Sequence, residues 1–192
     1  MKNEIKDRIF SIPNILSLIR ILLVPVFIVL ILNKKIFEGL LVFLIASATD
    51  ALDGFIARSF HQKTRLGQFL DPAADKLLMN ASYIILSISS LSYPNVIPIW
   101  LTGCVFGRDI LIVSVSFYLY RITNKKYVSV TIPGKLTTIC QTAVLLLVLF
   151  FNWKEITPSI LMWFYYLTLI LTIFSGINYA VKGFQLYKRR TR

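Results

Sequence analysis

Four aspartates fall into two closely spaced pairs within a largely apolar part of the chain. Asp50 and Asp53 are three residues apart, and Asp71 and Asp75 are four apart. On a helix, residues three or four apart share a face, so each pair would present two carboxylates together. Carboxylates beside a bilayer are costly to keep and are usually functional. Clustered carboxylate oxygens bind hard cations, so the pattern predicts an enzyme with one or two Mg²⁺ or Mn²⁺ ions.

The elements that carry these pairs are predicted to be membrane helices. The 192 residues are 56% hydrophobic, which is more than a soluble domain of this length could bury. Apolar runs able to cross about 30 Å of hydrocarbon recur along the chain. We expect an all-α, integral membrane six-transmembrane-helix bundle, a single domain over residues 1–192 that opens with an interfacial helix at 1–12. The runs are 14–32, 36–57, 71–91, 96–120, 135–151 and 158–181.

Positive charge in the connections predicts the orientation in the membrane. Fifteen of the 21 Lys and Arg residues fall in segments on one side, and three fall on the other. Both termini, and the loop between the two acidic pairs, should therefore be cytoplasmic, in a multi-pass protein of the cell membrane whose site faces the cytoplasm. The net charge of +12 should attract anionic lipids and substrates. It does not indicate nucleic acid, because no soluble basic domain carries it.

Small and basic residues surround the acidic pairs. Gly54 and Ala57 leave room for a bulky ligand, Gly67 allows the loop to approach closely, and Arg58 could clamp a phosphate. Asp71 precedes a proline, which suits a helix N-cap. Ordinary small-residue packing and positive-inside charge are the alternatives for the glycines and the arginine. A cation or phosphate carrier is a further alternative, although carriers favour midplane sites and paired repeats.

Residues 50–75 read Asp-x₂-Asp-Gly-x₂-Ala-Arg-x₈-Gly-x₃-Asp-x₃-Asp. This resembles the signature of the CDP-alcohol phosphotransferase family, whose members displace CMP from a CDP-linked donor, usually CDP-diacylglycerol, with an acceptor alcohol. The resemblance implies a homodimer with two metal ions at Asp50, Asp53, Asp71 and Asp75, and with Asp75 as general base. It also implies a CDP-donor site lined by Asn14, Asp53, Gly54, Ala57, Arg58, Thr64 and Gly67.

The acceptor is the open question at this stage. Arg20, Arg108 and Lys135 would form an anion pocket for a phosphorylated alcohol if they converge, whereas each could instead snorkel or pair structurally, Arg108 with Asp109 for example. Pro13-Asn14-x₂-Ser17-x₂-Arg20 and the segment 70–76 resemble the phosphatidylglycerophosphate synthase branch, which uses glycerol 3-phosphate. Gly107-Arg108-Asp109 departs from that branch and resembles cardiolipin synthases, whose acceptor is phosphatidylglycerol.

Overall fold

The computed structural model describes the backbone of residues 12–59, 67–123 and 132–188, and the side chains of 15–49, 73–116 and 132–185. Within these ranges all regular secondary structure is helical, so the predicted all-α class is confirmed. The helices are α1 (Ile12–Leu32), α2 (Ile36–Ser59), α3 (Gly67–Leu86), α4 (Ile99–Thr123), α5 (Ile132–Trp153) and α6 (Ile160–Lys188).

Each predicted apolar run overlaps one helix, but the third run was misplaced. The prediction was 71–91, whereas α3 begins at Gly67 and ends at Leu86. Turns follow Leu86, and Pro94 and Pro98 have no N–H with which to continue a helix. Hydropathy alone does not reveal where α3 ends, because Ile88 and Leu91 are as apolar as the residues inside the helix. The helix α5 begins three residues before its predicted start, which brings it to spanning length.

Within the described residues, four helices are long and apolar enough to cross a membrane, and most of their surface is open to the surroundings. Only 22–39% of each spanning window is buried, and Trp163 and Val113 are 75% and 66% exposed. Such apolar exteriors suit lipid contact, and the chain is a multi-pass membrane protein. In α2 the described apolar stretch, Ile36–Thr49, is shorter, so six spans and cytoplasmic termini remain predictions. The four spanning segments are Ile15–Leu32, Ile99–Ser116, Ile132–Trp153 and Ile160–Gln185.

The helices divide between two compact units. Unit 1 comprises Met1–Val96 with Leu149–Ile156, and unit 2 comprises Ile97–Val148 with Thr157–Arg192. Unit 1 therefore contains α1, α2, α3 and the last turn of α5. Unit 2 contains α4, α6 and most of α5.

In unit 1, α1 packs against both α2 and α3. The rings of Phe27 and Phe43, which are both fully buried, lie with their centroids 6.0 Å apart. One turn away the helices approach so closely that a Cβ on Gly39 would lie 2.6 Å from Cδ1 of Ile31. The glycine thus leaves room for the end of the Ile31 side chain between α1 and α2. The helix α1 packs against both helices that carry the acidic pairs.

A buried polar cluster, here termed the asparagine clasp, ties the turn after α3 to the end of α5 in unit 1. It consists of Ser92, Asn95 and Asn152, all at most 8% exposed. Asn152 Oδ1 accepts from the backbone N–H and the side-chain amide of Asn95, at 2.7 and 2.9 Å. Its Nδ2 donates to Ser92 Oγ and to the Asn95 carbonyl, both at 3.0 Å. The clasp fixes a segment that has no regular hydrogen-bond pattern of its own.

In unit 2, α4 packs against α6 at small residues. A Cβ on Gly183 would lie 2.6 Å from Cγ1 of Val115, so the two helices leave no room for a side chain there. Polar contacts join α5 to α6: Thr137 Oγ1 lies 3.0 Å from the Leu171 carbonyl, and Gln141 Nε2 donates to a threonine of α6. Small-residue contacts and interhelical hydrogen bonds are typical of helix association in membranes.

Candidate active site

The acidic motif lies at the C-terminal end of α2 and the N-terminal part of α3, two helices that are joined by residues 60–66. Asp50 and Asp53 lie in the last three turns of α2, and Asp71 and Asp75 lie in the first three turns of α3. The predicted placement of the two pairs on successive helices is thus confirmed. The remaining predicted donor-site positions have side chains outside the described residues, and their roles stay predictions. They are Asn14 on α1, Gly54, Ala57 and Arg58 on α2, Thr64 in the connection, and Gly67 at the start of α3.

The predicted N-cap at Asp71 is wrong. The helix α3 begins at Gly67, so Asp71 is its fifth residue and the following proline is its sixth. This difference exceeds the one- or two-residue uncertainty of a helix end. A proline at that position cannot donate to the carbonyl of Gln68, which is the cost of carrying it inside the helix. Asp71 is therefore a residue of the helix body, one turn before Asp75.

Asp75 is the one member of the acidic set whose side chain the structure describes. It is half-buried, at the border of the α3 face that buries Ala74, Leu78 and Met79. It also takes part in at least one close polar or electrostatic interaction. A carboxylate with one side against packed helices and another side accessible can be held in place and still exchange a proton with a substrate.

The helix α1 buries polar side chains against the helices that carry the motif. Ser17 and Arg20 have no exposed area, and α1 packs on both α2 and α3. Both side chains are engaged in close interactions. A guanidinium fully removed from water needs anionic or hydrogen-bonding partners close by.

Arg108 lies in unit 2 and is held by its neighbours. Its Nη1 donates to Oδ1 of Asp109 at 2.9 Å, and both side chains are at most 9% exposed. Its Nη2 lies 3.3 Å from Ser175 Oγ, and the guanidinium carbon lies 5.9 Å from the centre of the Tyr179 ring. The structural pairing of Arg108 with Asp109 that the sequence allowed is therefore confirmed. The Nε of Arg108 is buried with no hydrogen-bond partner among the described residues, so one donor remains for a ligand or a water.

The three cations assigned to an acceptor pocket differ in their surroundings. Arg20 is fully buried in unit 1, Arg108 is buried in unit 2, and Lys135 is an exposed residue in the first turn of α5. Their convergence on one anion stays a prediction.

Sequence reasoning missed the α6 residues beside Arg108. Ser175 and Tyr179 are four residues apart and contact the guanidinium from one face of α6. Thr168 and Thr172 extend the same face, with spacings of four, three and four residues along an otherwise apolar helix. A polar stripe at helical spacing in a membrane segment is a sequence signal for an interior face, and it could have identified these positions.

Whether the residues fit a divalent metal rests on the chemistry of the donor set. Four aspartates within three turns of two helix ends supply the oxygen ligands that Mg²⁺ and Mn²⁺ prefer. Among residues with described side chains, no cluster of three or more His, Cys, Asp or Glu occurs, and three of these four aspartates lie outside that set. The donor types therefore fit the metal, and Asp75 would be the metal ligand among the residues with described side chains.

Comparison with known proteins identifies the family. The family model of CDP-alcohol phosphatidyltransferases matches residues 10–174. The CDP-diacylglycerol–glycerol-3-phosphate 3-phosphatidyltransferase of Haemophilus influenzae is 34% identical over 175 residues, which cover 88% of this chain and 91% of that protein. The enzyme of the same name from Escherichia coli K12 is 30% identical over 175 residues, which cover 88% of this chain and 93% of that protein.

A second group of relatives carries another name. The cardiolipin synthase (CMP-forming) of Rattus norvegicus is 45% identical over 111 residues, which cover 57% of this chain. The matched part is 35% of that synthase, so the similarity spans about a third of its length. The expectation of a phosphatidyltransferase is confirmed by the family match and by the relatives that align along nearly their whole length. The chain belongs to the CDP-alcohol phosphatidyltransferase family.

Proposed function

We propose that this protein transfers the phosphatidyl group of CDP-diacylglycerol to glycerol 3-phosphate, releasing CMP and forming phosphatidylglycerophosphate. The observation that carries the proposal is the end-to-end similarity to two bacterial enzymes that are named for this reaction. The uninterrupted motif at residues 50–75 lies within the matched region and supplies the chemical groups that the reaction needs.

The reaction is a displacement at phosphorus. A hydroxyl oxygen of the acceptor bonds to the phosphorus that bears the diacylglycerol, and the bond from that phosphorus to the CMP oxygen breaks. Asp75 takes the hydroxyl proton, for which its half-buried position suits it. Arg58, in the last turn of α2, contacts the diphosphate of the donor. Asn14, Gly54, Ala57, Thr64 and Gly67 complete the CDP site.

Asp50, Asp53, Asp71 and Asp75 would hold two divalent cations, Mg²⁺ or Mn²⁺. When bound, such ions neutralise charge on the phosphate oxygens and help to align donor and acceptor. The chain's own task would be to keep the four carboxylates of α2 and α3 together, and the packing of α1 against both helices supports that role. Arg108 and Lys135 are proposed to bind the acceptor phosphate.

The membrane setting follows from the substrates. The acyl chains of the donor stay in the bilayer while its CDP group reaches the acidic motif, so the site belongs at a membrane surface. The distribution of Lys and Arg supports a cytoplasmic surface of the cell membrane. A homodimer is proposed from the family resemblance, and the exposed apolar helix faces are compatible with one.

The purified protein, in detergent with CDP-diacylglycerol, glycerol 3-phosphate and Mg²⁺, should yield CMP and phosphatidylglycerophosphate in equal amounts. Asp75→Asn and Asp53→Asn should each abolish turnover, because the base or a metal ligand is lost. Glu38→Gln is the matched control, since it removes an exposed carboxylate from the other end of α2. Release of CMP without a lipid product, or full activity in both aspartate variants, would contradict the proposal.

The second candidate is cardiolipin synthesis with phosphatidylglycerol as acceptor. It is favoured by the 45% identity to a cardiolipin synthase over 111 residues and by the Arg108-Asp109 pair. The two candidates share donor, metal and leaving group, so only the acceptor separates them. With each acceptor offered alone at equal concentration, turnover with phosphatidylglycerol and none with glycerol 3-phosphate would select this candidate.

A further inference from the structure

Arg20 does not have the surroundings of a residue that binds a water-soluble acceptor. It is the largest side chain with no exposed area among the described residues. A solute could reach its guanidinium only if the helices of unit 1 moved apart. Arg20 also already takes part in close interactions within the fold. Its burial therefore conflicts with the acceptor-phosphate role that the sequence suggested.

The packing register of α1 and α2 indicates what lies level with Arg20. Ile31 meets Gly39, and Phe27 meets Phe43, so the residue numbers fall along α1 as they rise along α2. This is the register of two antiparallel helices packed along one face each. Both faces continue with the same spacing of four, three and four residues: Ile31, Phe27, Val24 and Arg20 on α1, and Gly39, Phe43, Ala46 and Asp50 on α2. The backbone of Asp50, the first residue of the acidic motif, is thus level with Arg20.

Arg20 and the acidic motif would each be stabilised by the charge of the other. A fully buried guanidinium is strongly destabilising unless an anion lies close to it. Four carboxylates brought together on α2 and α3, as the proposed metal site requires, would repel one another unless positive charge is supplied. The helix α1 packs on both of these helices and carries its buried arginine at the level where the motif begins.

We infer that Arg20 is a positioning residue, the internal counter-cation that holds the acidic motif in place, and that it does not bind the acceptor phosphate. The inference rests on the proposed function for its kinetic part. It makes the acidic motif a three-helix structure, with α1 supplying fixed positive charge to the carboxylates of α2 and α3.

Arg20→Met tests the role because methionine is also a long, unbranched side chain but carries no charge. Mn²⁺ should bind about fivefold more tightly, measured by electron paramagnetic resonance, because one positive charge no longer repels the divalent ion. The kcat should fall on the order of 100-fold as the carboxylates lose their alignment, while the KM for glycerol 3-phosphate changes by less than about twofold. The melting temperature in EDTA should drop, and saturating Mn²⁺ should restore more of it than in the wild type.

Two further variants make the result specific. Arg20→Lys keeps the charge without the planar fork, so Mn²⁺ affinity and the melting temperature in EDTA should return close to wild-type values while kcat recovers in part. The lysine variant can still be measured even if the methionine variant does not fold. Lys35→Met removes an exposed positive charge just beyond the C-terminal end of α1 and should leave Mn²⁺ affinity unchanged.

A tenfold rise in the KM for glycerol 3-phosphate in Arg20→Met, with kcat and Mn²⁺ affinity unchanged, would assign Arg20 to the acceptor and overturn the inference. Unchanged or weaker Mn²⁺ binding would also overturn it. If the wild-type protein transferred phosphatidyl groups to neither acceptor, the proposed function would fail. The Mn²⁺ and melting measurements would still test Arg20 in that case.

Discussion

Asn152→Ala removes the centre of the asparagine clasp and should cost about 3 kcal/mol of folding free energy. Four hydrogen bonds are lost together. Three of the polar groups left behind keep another partner: the Asn95 amide still donates to the Ile156 carbonyl, and the Ser92 hydroxyl still donates to the Asn95 carbonyl. The buried Asn95 N–H keeps none within the clasp. One unsatisfied donor at about 2 kcal/mol, plus about 1 kcal/mol for the other bonds, gives the total.

The same geometry predicts a rank order within the clasp. Asn95→Ala removes only the two bonds of its side-chain amide, and its backbone N–H still donates to Asn152, so the cost should be about 1.5 kcal/mol. Ser92→Ala should cost about 1 kcal/mol, since the Asn152 amide retains the Asn95 carbonyl. Asn33→Ala is the matched control, because its amide bonds to the Val29 carbonyl at an exposed helix end.

Thermal unfolding of the purified protein in detergent measures the order. At roughly 2–4 °C per kcal/mol for a chain of this size, Asn152→Ala should melt about 6–12 °C below the wild type, and the control within about 2 °C of it. Equal losses for Asn95→Ala and Asn152→Ala would refute the reasoning, because the backbone N–H would then carry no special cost. A control that melts as low as Asn152→Ala would show that burial is not the cause.

Four other substitutions have directions fixed by local geometry, and melting temperatures check each. Gly183→Ala should destabilise by about 1–3 kcal/mol, because the new Cβ would lie 2.6 Å from the stiff side chain of Val115; Gly103→Ala, with nothing within 4 Å, should be neutral or stabilising by up to about 1 kcal/mol. Lys34→Gly should stabilise by about 1 kcal/mol, since this residue follows the end of α1 and has a φ of 58°, which glycine adopts without strain; a loss of stability would mean that the lysine side chain makes stabilising contacts worth more than that. Asp109→Asn should destabilise by about 3 kcal/mol because it leaves a buried guanidinium unneutralised, and an unchanged melting temperature would contradict that.

Hydropathy predicted where the helices lie because a membrane helix needs a long apolar run, and that requirement is written directly in the residues. It failed at the end of α3, where apolar residues continue beyond Leu86 but the chain turns. The turn is stabilised by the asparagine clasp, whose partner Asn152 is 57 residues further along. A contact so distant in sequence leaves no local signal, so the boundary could not be placed from the run alone.

The candidate site, like the fold, could be predicted from the sequence only in part. The acidic pairs could be predicted because their chemistry depends on residue type and on spacing along a helix, both of which the sequence states. The surroundings of the three predicted acceptor cations could not, because burial is a property of packing. Arg20 and Arg108 look alike in sequence as single cations in apolar runs, yet the first is enclosed in unit 1 and the second is paired with its neighbour in unit 2. Ser175 and Tyr179 were missed because their relation to Arg108 arises only when α6 packs on α4.

Buried positive charge gives the carboxylates of this chain two tasks that an activity assay alone cannot separate. Arg108 is neutralised by Asp109, and removing that carboxylate should destabilise unit 2 even when no ligand is bound. If Arg20 depends on the acidic motif in the same way, each motif aspartate both binds metal and balances a buried cation. An inactive aspartate variant is then evidence for catalysis only when its melting temperature in EDTA, where no metal contributes, stays close to that of the wild type. Asp75, half-exposed at the edge of the packed face, should meet that criterion better than a carboxylate enclosed beside α1.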